Sequence, residues 1–162
     1  MDYCSISFDR NKLDLQEIEI YTDGSGFEGA VGSAFVVYFY GLEIHVEKFK
    51  MSEYNSVYQA EMAALRETLN WILRELTKRH CIHIYSDALS VLTALSRPEP
   101  KNEILEDIKD LFKRALGYHV IHVHWIKAHI GHSVNERADA LAKEAALGDG
   151  MDYFDVRPVE ER

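Results

Sequence analysis

The fold is decided by residues 17–51, which run EIEIYTDGSGFEGAVGSAFVVYFYGLEIHVEKFKM. Three strand-like segments lie in this stretch, at 17–23, 34–40 and 41–51, and each is rich in the β-branched and aromatic residues that favour strands. The links between them are short and contain glycine. The sequence therefore predicts three antiparallel strands that follow one another in a meander.

Beyond this meander, helical and strand-like segments alternate. The clearest helix begins near Ser56, because Gln59 follows at the spacing of a capping box and a long run of helix formers comes next. The other predicted elements are a strand at 81–87, a short helix at 88–96, a helix at 102–116, a strand at 118–125 and a helix at 133–147. Strands separated by helices are normally parallel neighbours, so the sequence predicts an α/β fold with a five-stranded mixed sheet flanked by helices.

Length and composition fit one domain. The chain has 162 residues, 47% of them hydrophobic, and a chain of this length can build a full core without metal or disulfides. We expect the domain at 17–147, a linker or N-terminal extension at 1–16 and an acidic C-terminal tail at 148–162. The sequence has neither a membrane-length apolar segment nor the residue order of a signal peptide. These features favour an intracellular protein of the cytoplasm or nucleus with no membrane partner.

The net charge of −9 argues at first sight against a nucleic-acid partner, because phosphate binding needs Lys and Arg. A third of that charge lies in residues 1–19 and another third in 148–162, each with five acids and two bases. If four carboxylates of the remaining stretch hold divalent metal, the rest of that stretch has a charge of about +1. A polyanionic substrate is therefore compatible with the sequence.

Two carboxylates stand at predicted strand ends. Asp23 ends the first strand at a glycine-rich turn, and Asp87 ends the fourth strand before a helix. Ligands of α/β sheets gather beyond the carboxyl ends of strands, so both acids are expected to face one crevice. Each also has a structural alternative, because Asp23 could be a turn residue in Asp-Gly and Asp87 could be a helix N-cap.

Two further carboxylates lie on predicted helices that face the sheet. Glu61 shares a helical stripe with Leu65, Leu69, Ile72 and Leu76. A buried carboxylate there needs a partner such as a metal ion, unless Glu61 lies at the edge of the sheet in water. Asp139 flanks a stripe of small residues that allows close packing on the sheet, and it could also be an ordinary acid at the boundary of that stripe.

Histidines before the last helix suggest a zinc site as an alternative. His129 and His132 form an HxxH pair after the fifth strand, and His122 and His124 on that strand are possible further ligands. Structural zinc usually draws on cysteine or on paired ligand blocks at tight spacing, and the two cysteines form no CxxC pair. The sequence therefore disfavours zinc, and the two strand histidines are expected to pack or to point to water.

Four blocks occur in order on these elements: YTDGSG, QAEMAAL, IYSDALS and WIKAHIGHSVNERADALAKEA. Together they resemble the ribonuclease H family over roughly Glu17 to Ala146, and the last block is the most specific. The short glycine turn and the EMAAL and SDALS segments look most like the ribonuclease H domains fused to reverse transcriptases of non-LTR retrotransposons. The resemblance implies the ribonuclease H-like fold, with the mixed sheet predicted above.

The resemblance also implies a catalytic site. The family's four metal-binding carboxylates match Asp23, Glu61, Asp87 and Asp139, and its catalytic histidine matches His129. Two Mg²⁺ ions are implied, with Mn²⁺ also supporting activity, and hard cations of this kind prefer oxygen ligands. By resemblance the first aspartate bridges both ions, the last helps to hold the ion that activates water, and the other two acids hold the ion beside the leaving group. The implied reaction is cleavage of the RNA strand of RNA/DNA hybrids to 5′-phosphate and 3′-hydroxyl ends.

Substrate contacts are implied in the same way. The first turn and the start of the long helix would contact ribose 2′-hydroxyls, which involves Gly24, Ser25, Gly26, Ser56 and Gln59. Ser56 matches a hydroxyl residue that holds a DNA phosphate, and it is also the predicted N-cap. Between residues 96 and 102 the sequence has no basic helical protrusion, which predicts modest affinity for hybrids or affinity supplied by a fused polymerase.

The sequence thus favours an RNA/DNA hybrid as the partner of a monomeric chain, with a fused reverse transcriptase domain in a retroelement polyprotein. A stand-alone cellular-type ribonuclease H is one alternative. A catalytically weak hybrid-binding module is another. A transposase or integrase nuclease of the same fold usually lacks an acid at the place of Glu61.

Overall fold

A computed structural model of the chain describes residues 2–4, 15–98, 102–126 and 133–153. These residues form seven strands and four helices. The strands are β1 (Asp2–Cys4), β2 (Glu17–Phe27), β3 (Ala30–Phe39), β4 (Leu42–Met51), β5 (Cys81–Ser86), β6 (Val120–Trp125) and β7 (Met151–Asp152). The helices are α1 (Val57–Glu75), α2 (Leu89–Leu95), α3 (Glu103–Leu116) and α4 (Ser133–Ala146). None of these four helices is long and apolar enough to span a bilayer.

All the strands join one mixed sheet in the order β1-β6-β5-β2-β3-β4-β7. The antiparallel neighbours β2, β3 and β4 confirm the predicted meander, and β2, β5 and β6 are parallel. The prediction of five strands is too low, because the described part of the chain adds β1 and β7 at the two edges. These pair over only three and two residues, which is too short to produce a periodic pattern in the sequence.

The first predicted strand is longer than the sequence indicates. It is expected to end at Asp23, but β2 continues to Phe27 and remains paired with β3 over that whole length. The chain turns instead at Glu28 and Gly29, whose φ angles are 50° and 79°. Asp23 lies opposite Ala34 within the ladder, so it is not a turn residue.

The sheet lies between two helical layers of different size. On one face, α1, α2 and α3 bury the larger core against strand residues such as Ile20, Phe35 and Ile84, each with no exposed surface. On the other face, α4 packs on the central strands through a smaller cluster. The described residues therefore form three layers, with the sheet between two layers of helices.

Small residues bring α4 close to β3. The buried face of the helix includes Ala138 and Ala142, as the sequence predicts. Gly32 of β3 lies under the helix, and a Cβ at that position would collide with the helix backbone at Ala142. This close approach brings the flank of α4 to the level of the sheet.

Residues 148–153 pack on the domain, although the sequence places a tail from residue 148. β7 pairs with β4, and the Tyr153 backbone N–H donates to the carbonyl of Lys50 at 2.9 Å. The Tyr153 side chain is 7% exposed and lies against Phe49, with 5.1 Å between ring centroids. One buried aromatic side chain thus holds a polar stretch whose composition alone indicates a solvated end.

Candidate active site

Asp23 and Asp87 lie side by side where β2 and β5 stop pairing. The parallel ladder ends at the pair Thr22 and Ser86, and each aspartate is the next residue in its own segment. Asp23 is 6% exposed and Asp87 is partly buried. The N-cap of α2 is Ala88, so the alternative role of Asp87 as a helix cap is wrong. The two aspartates therefore face the crevice beyond the strand ends.

Glu61 reaches the same crevice from α1. One carboxylate oxygen from each of Asp23, Glu61 and Asp87 lies within 4.8 Å of the others. Gly24 makes this approach possible, because a Cβ there would stand 2.5 Å from the backbone nitrogen of Glu61 and 2.8 Å from its Cγ. Glycine at this position lets the strand pass directly beside the helix. Glu61 is partly buried among the other acids rather than isolated in water.

Asp139 joins the group from α4. It shares a hydrogen bond with Asp23. Its Oδ2 also lies 2.8 Å from Nζ of Lys143, one turn along the helix. Two carboxyl groups can share a hydrogen bond only when one of them is protonated. This hydrogen bond favours the protonated form of Asp23 and so contributes to raising its pKa.

Burial and mutual repulsion oppose ionisation of these acids. Burial raises the pKa of Asp23 to about 9, and Asp87, the hydrogen bond and charge of Asp139, and Glu61 all add to the increase. Burial also raises the pKa of Glu61 to about 7, with a further contribution from the charge of Asp87. A divalent cation among the oxygens would remove the repulsion and offset the lost hydration of the charges.

The donor set fits a hard divalent cation. Every candidate ligand atom in this group is a carboxylate oxygen, which Mg²⁺ and Mn²⁺ prefer over nitrogen or sulfur. Asp23, Glu61 and Asp87 are close enough to hold one ion together. Asp139 approaches Asp23 from the other helical layer, so this pair could hold another.

The predicted substrate-contact residues lie beside the crevice, and two of them form the cap of α1. The Ser56 Oγ accepts from the Gln59 N–H at 3.1 Å, and the Gln59 Oε1 accepts from the Ser56 N–H at 3.0 Å, which confirms the capping box. Gln59 is only 2% exposed. The hydroxyl of Ser56 still has its own hydrogen to donate, so capping the helix and binding a phosphate are compatible. The other members, Gly24, Ser25 and Gly26, lie on β2.

His129 and His132 fall within 127–132, outside the described residues. The backbone that leads to them is described. The Trp125 Nε1–H donates to the carbonyl of Asp87 at 3.3 Å, and the Ile126 N–H donates to the carbonyl of Ser86 at 2.9 Å. The chain therefore leaves β6 directly beside the carboxylate crevice.

The mixed sheet and the four converging acids agree with the similarity of the sequence to known proteins. The chain belongs to the RNase H family, whose model matches residues 15–147. It is 32% identical over 145 residues to the ribonuclease H of Paramagnetospirillum magneticum, covering 80% of this chain and 89% of that protein. It is 36% identical over 140 residues to the ribonuclease HI of Helicobacter pylori, covering 80% of this chain and 92% of that protein.

A solved structure confirms the fold that the resemblance implies. The chain is similar to LC11-RNase H1 in complex with an RNA/DNA hybrid, with a TM-score of 0.64 and 21% sequence identity. The similarity covers 80% of this chain and 96% of that one. The fold is therefore the ribonuclease H-like α/β fold.

A second group of side chains of metal-ligating type lies close together at the other end of the same strands, and the sequence patterns do not predict this group. Glu17 of β2 and Cys81 and His83 of β5 each place one ligand atom within 4.8 Å of the others. The local signal is a Cys-x-His pair, because alternate residues of a strand share a face. Glu17 joins the pair through the register of β2 and β5, which only the folded sheet reveals.

Proposed function

We propose that this protein is an endoribonuclease that hydrolyses the RNA strand of RNA/DNA hybrids. The observation that carries the proposal is the convergence of Asp23, Glu61, Asp87 and Asp139 at one edge of the sheet, in a chain of the RNase H family. Like-charged groups that raise one another's pKa are costly to assemble and are typical of functional sites. A bound cation would offset the repulsion among the four carboxylates.

The four carboxylates would hold two Mg²⁺ ions, or Mn²⁺ in their place. Such ions, when bound, activate a water molecule and neutralise charge on the scissile phosphate. The chain holds the ligands for them in place. The register of β2 and β5 fixes Asp23 beside Asp87, the close passage of Gly24 fixes Glu61, and the packing of α4 fixes Asp139. The products would carry 5′-phosphate and 3′-hydroxyl ends.

His129 is assigned proton transfer or help with product departure. Its support is the family motif and the path of the chain, since Ile126 is bound to β5 three residues earlier and next to Asp87. A histidine changes its charge near neutral pH, which suits either task. Such a residue contributes about 10²–10⁴ in rate, so His129→Ala should slow cleavage and leave hybrid binding in place.

The backbone of Gly24–Gly26 and the hydroxyl of Ser56 are assigned to contacts with the hybrid. Their position at the junction of β2 and α1, beside Glu61, supports this assignment. The solved relative LC11-RNase H1 is seen with an RNA/DNA hybrid. Contacts to phosphates are ionic, so we expect hybrid binding by this acidic chain to weaken steeply as salt rises.

Two origins of the domain make different predictions about affinity. The EMAAL and SDALS segments support a retroelement polyprotein, in which a fused reverse transcriptase raises the local concentration of hybrid. The relatives named ribonuclease H are matched over about nine-tenths of their own length, which supports a free-standing enzyme. Tight hybrid binding by the isolated chain at physiological salt would favour the second origin, and weak binding that fusion restores would favour the first.

The test is cleavage of matched substrates by the purified chain with Mg²⁺. An RNA/DNA hybrid, single-stranded RNA, double-stranded RNA and double-stranded DNA of one sequence are compared, with each strand labelled in turn. We expect cuts only in the RNA strand of the hybrid, with a requirement for the metal. Ca²⁺ should support binding with little cleavage, because its longer and less regular coordination does not replace Mg²⁺.

The matched variants are Asp87→Asn in the crevice and Asp110→Asn, an exposed position on α3. Asp87→Asn should lower the cleavage rate by about 10³ or more, because it removes a metal ligand with little change of volume. The control should leave the rate unchanged. Equal cleavage of all four substrates, or an Asp87→Asn variant that keeps more than about a tenth of the rate, would contradict the proposal. Hybrid binding without cleavage would instead support the weak binding module.

A further inference from the structure

The group of Glu17, Cys81 and His83 lies on the face of the sheet on which α4 packs. Glu17 is four residues before Tyr21 on β2, and Tyr21 packs against the α4 cluster, so both side chains are on that face. We propose that this group binds one transition-metal ion of the zinc class, such as Zn²⁺ or Co²⁺. This second metal site is independent of the carboxylate site and of the proposed function.

The distances between the candidate ligand atoms fit a single ion. The Cys81 Sγ lies 3.7 Å from the His83 Nε2, which lies 3.5 Å from the Glu17 Oε1. Zinc bonds of about 2.3 Å to sulfur and about 2.0–2.1 Å to nitrogen or oxygen, at tetrahedral angles, place ligand atoms about 3.4–3.6 Å apart. Both distances from the His83 Nε2 therefore match a shared ion, and the ligand atoms of Cys81 and Glu17 lie within 4.8 Å of each other.

The backbone of two paired strands holds these ligands. Glu17 and Cys81 are register partners in the β2–β5 ladder, and His83 follows two residues along β5 on the same face. The Cys81 N–H donates to the carbonyl of Gln16 at 3.1 Å, which ties the beginning of β5 to the beginning of β2. A site built on two hydrogen-bonded strands is rigid before the ion arrives.

A neighbouring histidine orients the His83 ring. The His83 Nδ1 lies 2.9 Å from the His124 Nε2. When Nδ1 donates in this hydrogen bond, Nε2 presents its lone pair toward Cys81 and Glu17, as a metal ligand requires. The ring is also stacked on His122, with centroids 5.0 Å apart and 15° between planes. Metal-binding histidines typically make such a hydrogen bond through the second ring nitrogen.

The donor types separate this site from the carboxylate crevice. Sulfur and imidazole nitrogen favour zinc-class ions, whereas Mg²⁺ prefers oxygen. Glu17 and Asp23 are six residues apart on β2, which is about 20 Å along a strand. On binding, the Cys81 thiol would release its proton to solvent as the metal–sulfur bond forms, and water would fill the fourth position.

The experiment is a titration of the full chain with Co²⁺ in the presence of saturating Mg²⁺. Thiolate ligation gives a charge-transfer band in the near ultraviolet, so the spectrum reports Cys81 rather than the carboxylates. We expect one equivalent of Co²⁺ to produce the band and Zn²⁺ to displace it. A band that Mg²⁺ suppresses, or no band at all, would overturn the proposal.

Three variants assign the ligands. Glu17→Gln alters an exposed side chain and should weaken Co²⁺ binding by about tenfold or more, whereas Glu75→Gln, an exposed acid of α1, should not change it. Cys81→Ser should abolish the band, and His83→Gln should weaken binding at least as much as Glu17→Gln. A band that persists in Cys81→Ser and disappears in Cys4→Ser would assign the ion to another thiol and overturn the proposal. Because Glu17 is exposed, its variant remains informative if Cys81→Ser fails to fold.

Discussion

Helix α1 carries charged side chains into two clusters of opposite character. Near its beginning, Glu61 meets Asp23 and Asp87, so groups of the same sign are collected together. Five residues later, Arg66 is 8% exposed, and its Nε lies 3.4 Å from Oε2 of Glu67. The Arg66 Nη2 donates to the Tyr153 hydroxyl at 2.5 Å. The second cluster is complete with protein groups alone. The first lacks an opposite charge among its three acids, and this difference supports its proposed role as a cation site.

The pKa shifts express the same contrast. In the acidic cluster, burial and the neighbouring charges act in one direction and raise the pKa of Asp23 to about 9. Around Arg66, burial lowers the pKa, but the hydrogen bond to Tyr153 and the charges of Glu67 and Asp107 outweigh it, so the pKa stays above its ordinary value. Charge is therefore favoured in the Arg66 cluster and opposed in the acidic cluster. We expect mutations in the two clusters to separate activity from stability.

The largest expected effect is on cleavage. Asp23→Asn should lower the rate on RNA/DNA hybrids by about 10³ or more, because Asp23 is the most buried acid of the crevice and contacts the other three. Single-turnover cleavage with Mg²⁺ measures this, and circular dichroism checks that the variant is folded. A loss of less than about tenfold would show that Asp23 does not have a central role in the site.

A glycine variant tests how the site is positioned. In Gly24→Ala, the new methyl group would meet the backbone of α1, so Glu61 must move. We expect cleavage to fall about 10²-fold and the free energy of unfolding to fall by about 1–3 kcal/mol. In the matched variant Gly26→Ala, the nearest atom is the side-chain tip of the exposed Val57, so the loss of stability should be smaller. Equal destabilisation by both variants would show that the close approach of α1 at Gly24 does not require glycine there.

Arg66→Met should have the reverse profile. It removes the charge of the second cluster and leaves the Tyr153 hydroxyl and Glu67 without their cation, so the free energy of unfolding should fall by about 2–3 kcal/mol. Cleavage per folded molecule should remain within about threefold of the original rate, because the cluster is separate from the crevice. Urea unfolding measures the free energy, and the hybrid cleavage assay on the same samples measures the activity. A variant that is stable but inactive would contradict the separation.

The smallest expected effect is that of Tyr153→Phe. The variant keeps the ring against Phe49 and removes the hydroxyl that accepts from Arg66 and donates to Glu67. We expect a loss of about 1 kcal/mol in urea unfolding, which is less than for Arg66→Met. If Tyr153→Phe proves as costly as Arg66→Met, the hydroxyl rather than the guanidinium holds the cluster together.

The sequence predicts those parts of the molecule that local patterns encode. The helix cap at Ser56 and Gln59 can be predicted, because its two hydrogen bonds need these residue types at a fixed spacing. The carboxylates at 23 and 87 are recognisable because they follow strand-like runs. The predicted end of the first strand is wrong, because Gly24 and Gly26 resemble a turn in the sequence. In the structure both glycines lie within the strand, where it passes close to the beginning of α1.

Features that depend on tertiary pairing could not be predicted. Tyr153 docks on Phe49 and Arg66, which are distant in the chain, and the surrounding polar residues give no hint of it. The meeting of Glu17 with Cys81 depends on the register between β2 and β5. Register is set by the packing of a whole face, so single residues do not reveal it.

We infer that the acidic cluster opposes folding until a divalent cation binds. Acids whose pKa values are raised on folding hold more protons in the native than in the unfolded state between their two pKa values, so stability falls as pH rises through that range. For Asp23 the range runs from 3.8 to about 9, and for Glu61 from 4.5 to about 7.

The direct test is thermal unfolding of the original chain and of Asp23→Asn from pH 5 to pH 8, with and without Mg²⁺. We expect the metal-free original chain to lose at least about 4–8 °C in Tm over this range, as a change of at least about 2 kcal/mol implies, and Mg²⁺ to restore it at pH 8. Asp23→Asn should show a flatter profile, a higher Tm than the original chain at pH 8 without metal, and little response to Mg²⁺. A metal-free original chain whose Tm is constant or rises from pH 5 to pH 8, or an equal gain from Mg²⁺ in both proteins, would show that the acidic cluster does not oppose folding in the absence of a cation.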